Sequence, residues 1–192
     1  MNYFISDLHL FHENCLAFDN RPFKNIDEMH KAIIERWNCA VGPYDDVYFL
    51  GDLSFAGYEK TNEVLKDLEG NKHWILGNHD KKLLKSGIKN HFVEICEYKE
   101  LFIDTNKSIV LCHYPIPTFK NMYRGWYHLY GHVHTGFEWN MTEHQKSLLK
   151  ELYSKEKNIP APDVCNMYNV GAMVPYMDYT PRTLDEIIKA SK

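Results

Sequence analysis

The sequence predicts an α/β fold in which two mixed β-sheets face each other with helices on their outer sides. Three observations lead there. Up to about residue 90, apolar runs of strand length alternate with segments of helical period. Beyond it the texture changes to short strands joined by short links. The chain of 192 residues suits a single domain, residues 1–192, able to bury roughly 70% of its unfolded surface.

The elements follow in order. Residues 2–6 are apolar and extended and end at Ser6-Asp7. Asn25 can cap a helix, with Glu28 reaching back, and Ile26, Met29, Ile33, Ile34, Trp37 and Val41 then keep helical spacing up to Gly42-Pro43. A second strand, 46–50, closes at Gly51-Asp52; a helix carrying Val64, Leu65 and Leu68 stops at Gly70-Asn71; a third strand, 73–76, runs into Gly77-Asn78. This alternation implies crossover connections and a largely parallel sheet. Strands around 92–98, 100–104, 108–112 and 126–131 are expected to form a second sheet packed on the first. Residues 141–158 read as an amphipathic helical insertion over an edge, with Leu148, Leu149, Leu152 and Tyr153 on one side. One more strand near 167–174 and a short helix around 185–188 complete the chain.

Composition narrows the function classes. A hydrophobic content of 44% with 25% charged residues is that of a globular protein, and 14% aromatics predict a bulky core. The net charge of −4 argues against an extended nucleic-acid groove dominated by phosphate contacts. No apolar run approaches the ~20 residues of a membrane span. The five cysteines are odd in number, include no C-x-x-C, and follow no signal-like start, so a reduced, cytoplasmic protein is expected. Cys112 beside His113 invites a thiol nucleophile, but the run Ile109-Val110-Leu111-Cys112 reads better as a buried strand.

The chemistry lies in five short segments: Asp7-Leu8-His9, Gly51-Asp52, Gly77-Asn78-His79-Asp80, His113, and Gly131-His132-Val133-His134. All their donors are oxygen or nitrogen. One divalent ion takes about four to six ligands, so the set fits two ions sharing a carboxylate. Taken singly, each has an ordinary alternative: a surface D-x-H, a strand-ending turn, an Asn/Gly/Asp turn, a core histidine. Jointly they share donor type and strand-end placement, where the sites of open α/β sheets gather. Asp7-x-His9 and His132-x-His134 have i, i+2 spacing, which in extended chain sets both side chains on one face about 6.6 Å apart. A structural zinc domain is a poor alternative, because such sites favour cysteine.

In order and type these segments resemble the calcineurin-like metallophosphoesterase superfamily, over most of the chain from Asp7 to His134. The resemblance implies a metallophosphoesterase-type sandwich and two divalent metal ions, Mn²⁺ first, with Fe, Zn²⁺ and Ni²⁺ also compatible with such donors. It places Asp7, His9, Asp52 and His134 on one ion, and Asn78, His113 and His132 on a second that Asp52 bridges. His79, oriented by Asp80, would assist the leaving group while a metal-bridging hydroxide attacks phosphorus. Phosphoprotein phosphatases carry an arginine shortly after the second motif and a glutamate ending the third. Here Leu53-Ser54-Phe55-Ala56-Gly57 and Asp80 stand instead, which disfavours a protein substrate. Cys112-His113-Tyr114-Pro115 also departs from the lipid-sugar pyrophosphatases and repair nucleases. The small single-domain bacterial and phage-type phosphoesterases fit best, with a small phosphomonoester or phosphodiester, nucleotide-like in one version, as substrate. A non-catalytic scaffold of the same fold is the alternative, but it should show broken motifs.

Candidate substrate contacts are Asn78, His12, Asn14 and Arg21, together with Tyr114 and Arg124. With Phe119, Tyr123 and Trp126, the last two could form an aromatic and cationic wall around Pro115-Ile116-Pro117, suited to stacking a base. Neither monoester or diester preference nor oligomeric state is legible in the sequence.

Overall fold

The computed structural model describes residues 1–85, 87–105, 107–158 and 164–192. Strands β1 (Asn2–Ile5), β2 (Asp46–Phe49), β3 (Asn71–Ile75) and β4 (Phe92–Cys96) form one sheet in sequential order, all parallel. Parallel neighbours need crossovers. Helices α1 (Cys15–Phe18) and α2 (Ile26–Ala40) make the first, and α3 (Tyr58–Asp67) the second. The third passes through α4 (Lys81–Leu84) and a 3₁₀ segment, Gly87–His91. Strands β5 (Tyr98–Phe102), β6 (Ser108–Cys112), β7 (Tyr127–Tyr130) and β8 (Asn166–Asn169) form the other sheet, with β5 antiparallel to β6 and the rest parallel.

The expected 92–98 strand therefore belongs to the first sheet, not the second. Cys96 ends it by accepting a bond from the Leu76 amide (2.8 Å), and after Glu97 the chain enters β5. The expected 167–174 strand also divides. After Asn169 the backbone bonds to β1's extension, with Ser6 N donating to Val170 O (2.8 Å) and Ala172 N to Ser6 O (2.8 Å). An antiparallel bridge between Phe4 and Arg182 makes the first sheet mixed as well.

The core lies between the sheets. Phe4, Ile5, Phe49, Trp74, Ile109, Leu111 and Leu129 share one buried cluster. Val110, one residue out of phase in the pleat, joins Tyr130 and Met167 in a second cluster with Phe119, Met122, Trp139 and Leu149. That second cluster explains helix α5 (Phe137–Lys157). It covers a sheet face through Trp139 and Leu149, and Tyr153 stacks on Tyr123 at 4.7 Å. Leu148 and Leu152, expected on the same side, are 44% and 53% exposed. Helix α2 behaves as its sequence reads. The Glu28 amide donates to Asn25 Oδ1 at 2.9 Å, Glu28 reaches back to the Lys24 amide at 2.9 Å, and Met29, Ile33 and Trp37 are buried. Helix α6 (Leu184–Ala190) starts on a capping box from Thr183 and Glu186. Among the described residues no helix is long and apolar enough to cross a membrane.

Candidate metal centre

All five motif segments begin within about two residues of a strand's carboxyl end: Asp7 after β1, Asp52 after β2, Asn78 after β3, His113 after β6 and His132 after β7. The loops are laced by their backbones. Asp7 N donates to Gly51 O (3.0 Å), His9 N to Asp52 O (3.1 Å) and Gly131 N to His113 O (2.9 Å). The i, i+2 pairs are not extended. Asp7, His9, Asp52, His132 and His134 have φ of 54°, 51°, 58°, 69° and 47°, so left-handed turns, not a pleated face, bring the donors together. Each such residue costs of order 1 kcal/mol, and strain of this kind collects at functional sites.

Two donor sets result. Asp7, His9 and His134 hold ligand atoms within 4.8 Å of one another, and so do Asp7, Asp52 and His113. Asp52 Oδ2 is central, 3.7 Å from His9 Nε2, 3.7 Å from His113 Nε2 and 3.9 Å from His79 Nε2. Asn78 Oδ1 lies 3.0 Å from both His113 Nε2 and His132 Nδ1. Thus all seven donors converge. The far ring nitrogens are fixed, because His113 Nδ1 donates to Leu50 O (2.7 Å) and His134 Nδ1 to Asp19 Oδ1 (2.7 Å). Such bonds orient a ligating imidazole and set its tautomer.

The donor set fits divalent cations on a physical argument. Asp7 and Asp52 are 0% and 2% exposed, and among the described residues neither pairs with a lysine or arginine. Buried carboxylates need a counter-charge; the His132 and His79 amides donate to them at 3.1 and 3.0 Å, but among the described residues the groups that could carry positive charge beside them are imidazoles at 3.7–3.9 Å. His9 Nε2 is buried without a hydrogen-bond partner, as a ligand atom awaiting an ion is. Burial pushes the Asp7 carboxyl up, but the His9, His113 and His134 rings outweigh it and hold Asp7 well below the usual range. Burial lowers His132, helped by the charge of His113. Burial also pulls on His134, yet Asp19 and Asp7 more than offset it and raise that group.

The family follows from this geometry together with one comparison. A model of the calcineurin-like phosphoesterases matches residues 3–184. The chain belongs to that family. It is 38% identical over 134 residues to an uncharacterised protein, MJ1445, of Methanocaldococcus jannaschii, covering 69% of this chain and 68% of that one. It is 33% identical over 81 residues to the Gene 66 protein of Mycobacterium phage L5, a match spanning 41% of this chain and 39% of the phage protein. Among solved structures it resembles a protein of unknown function, AQ665, from Aquifex aeolicus, with a TM-score of 0.68, 28% identity and 98% of each chain covered.

The remaining sequence candidates part company. Asp80 is buried, and its carboxylate accepts from the amides of Gly77 (2.7 Å), Asp52 (2.9 Å) and Leu53 (3.0 Å) and from Trp74 Nε1 (3.1 Å). Its bonds thus clamp two motif loops together and do not run to His79, contrary to the expectation that it orients that ring. Burial raises its carboxyl group against the pull of those amides. The His79 amide instead donates to Asp52 Oδ1 (3.0 Å), and its ring, 48% exposed, looks onto the site. Arg21, expected to reach a phosphate, is buried. Its guanidinium is used up on Asp19, Leu8 O, Asp7 O and Met29 Sδ, so no donor is left for a substrate. Asn14 is exposed in a different depression, with Glu13 and Lys24. His12 sits at the rim, stacked on Phe55 at 4.0 Å with Nδ1 3.4 Å from His9 Nδ1. Burial lowers it, assisted by the charges of His9 and His79.

The aromatic wall also dissolves. Phe119 is core, Tyr123 stacks on Tyr153, and Trp126 packs edge-on against Phe102 at 5.5 Å. Arg124 is exposed on the 3₁₀ turn Met122–Arg124. Of that group only Tyr114, 45% exposed and 4.6 Å from the His132 ring, borders the centre. Asp19, Phe18 and Phe55, which no motif in the sequence marks, also border the centre. Phe18 and Phe55 lie 5.6 Å from His134 and 4.8 Å from His79, ring to ring. No periodicity marks them, since they stand on loops and a four-residue helix. Asn169 is likewise unmarked; it is buried at the end of β8 and donates to His134 O at 2.7 Å.

Proposed function

We propose that the protein is a dinuclear metal-dependent hydrolase of a small phosphomonoester or phosphodiester. The observation that carries this reading is the position of Asp52 Oδ2, equidistant from His9 Nε2 and His113 Nε2 with His79 beside them. Asp7, His9, Asp52 and His134 would hold one ion, and Asp52, Asn78, His113 and His132 the other. Ions held there would polarise phosphoryl oxygens and lower the pKa of a bound water.

The chain's own residues supply the rest. His79, half-exposed with Nε2 3.9 Å from Asp52 Oδ2 and not assigned to an ion, would hand a proton to the departing oxygen, a role worth about 10²–10⁴ in rate. Asp80 sets His79 indirectly, by fixing the Asp52 and Gly77 backbones on either side. Beside His79 lies a depression of about 250 Å³ lined by Ser54, Phe55, Lys81 and Lys82, which would receive the leaving group. Beside His134 a second depression of about 490 Å³, lined by Phe18, Asn20, His134, Thr135 and Phe137, leaves room for another substituent on phosphorus. Room next to both His79 and His134 favours a diester over a monoester. Mn²⁺ is the first choice of ion.

The test is hydrolysis of aryl phosphomonoesters and diesters with Mn²⁺, with metal content measured in parallel. Asp52→Asn should lose metal and activity together. His79→Ala should keep its metal and lose about 10²-fold or more in kcat. Equal turnover by all three proteins would end the proposal, and a metal-poor wild type that hydrolyses no ester would favour a non-catalytic scaffold of this fold.

A further inference from the structure

The donors of one ion share a support that belongs to none of the five motifs. Helix α1 ends at Phe18, and Asn20, in a left-handed turn with φ of 51°, swings Asp19 and Arg21 under the centre. The Asp19 side chain is 2% exposed and that of Arg21 0%. Arg21 Nε and Nη2 both approach Asp19 Oδ2, at 2.9 and 2.8 Å, while the other oxygen, Oδ1, takes the bond from His134 Nδ1 at 2.7 Å. The rest of the guanidinium faces the loop after β1, with Nη1 donating to Leu8 O (2.9 Å) and Nη2 to Asp7 O (3.1 Å). One neutral pair therefore grips the backbone at Asp7 and the ring of His134, residues 127 positions apart in the chain (134 minus 7).

We propose that Asp19 and Arg21 are positioning residues for the ion bound by Asp7, His9 and His134. The proposal rests on the two-ion reading above. Three physical points support it. A buried carboxylate on the far nitrogen of a ligating histidine orients the ring and makes it a better donor, worth 10–100-fold in metal affinity. The planar fork of arginine can span a carboxylate and two carbonyls at once, which a lysine cannot. Because Asp19 is neutralised by Arg21, the pair adds no net charge, and the negative charge of Asp7 and Asp52 stays available to the cations. The left-handed turns at Asp7 and His9 also need an outside hold, and the two carbonyls bound by Arg21 lie in that strained stretch.

Calorimetric titration of metal-free protein with Mn²⁺ tests this without relying on turnover. Wild type should bind two ions. Asp19→Asn, which keeps an oxygen for His134 but removes the charge, should weaken one ion about 10-fold, and Asp19→Ala up to about 100-fold. The other ion should change less than about 3-fold. Arg21→Lys should behave as Asp19→Asn does. In a His134→Ala background Asp19→Asn should add nothing, whereas in a His132→Ala background it should have its full effect. Unchanged affinities would overturn the proposal. So would an equal loss at both ions that tracks a lower melting temperature of the metal-free protein, because it would reduce the pair to ordinary core stabilisation. If wild type itself binds fewer than two ions, the two-ion reading fails first and takes this inference with it.

Discussion

At Gly51 the backbone φ is +88°, and a Cβ there would stand 2.5 Å from the Gly77 amide and 2.7 Å from His113 Nδ1. Any side chain must both adopt a left-handed conformation and push apart two motif loops. Gly51→Ala should therefore destabilise the fold by at least about 2 kcal/mol and abolish stoichiometric metal binding, checked by denaturant unfolding and elemental analysis. Asp80→Asn tests the clamp. The amide retains one acceptor oxygen where the carboxylate serves four donors, so a loss of about 2–3 kcal/mol is expected, with activity falling through displaced Asp52. If Asp80 instead oriented His79 directly, Asp80→Asn would leave stability intact and shift only the pH–rate profile. At this scale the residues that gather at the centre were legible in the sequence, because Asp, Asn and His stand together just after strand ends. The partner of each was not. Asp80 follows His79 in sequence yet faces backbone amides, and Arg21 has a ligand's chemistry but a buried neighbour's place. Side-chain direction depends on φ at the turn, and sequence spacing does not encode it.

Helix α5 shows the same limit at the scale of elements. Leu148, Leu149 and Leu152 fall on one side by helical spacing, so they look interchangeable in sequence. Only Leu149 packs into the cluster with Trp139, Phe119 and Met167. Leu149→Ala should cost about 1–3 kcal/mol and Leu148→Ala less than about 0.5 kcal/mol, measured by urea unfolding; equal costs would put the helix in a different register. Strands β1 to β3 and helix α2 were readable because period and caps agree. The membership of β4 was not. Apolar residues such as Val93 and Ile95 suit either sheet, and the choice is made by pairing with β3, for example Trp74 with Ile95.

For the molecule as a whole, His128 couples the fold to pH. It is fully buried on β7, donating from Nδ1 to Val110 O (3.0 Å) and accepting at Nε2 from Ile116 N (2.9 Å). Burial lowers it to about 4, against about 6.5 unfolded. The unfolded chain thus binds the extra proton between these values, so stability is full above about pH 6.5 and declines as pH falls toward 4, by a total of about 3 kcal/mol. Unfolding of metal-free wild type and His128→Gln at several pH values should show a shallower acid decline in the variant; parallel curves would assign the proton elsewhere.

Strand ends from both sheets meet around Asp52, where the pair of cation sites is proposed. Anomalous scattering from crystals grown with Mn²⁺ should show two peaks on either side of the Asp52 carboxylate, one among Asp7, His9 and His134 and one among Asn78, His113 and His132. A single peak, or peaks that leave Asp52 uncoordinated, would contradict the proposal.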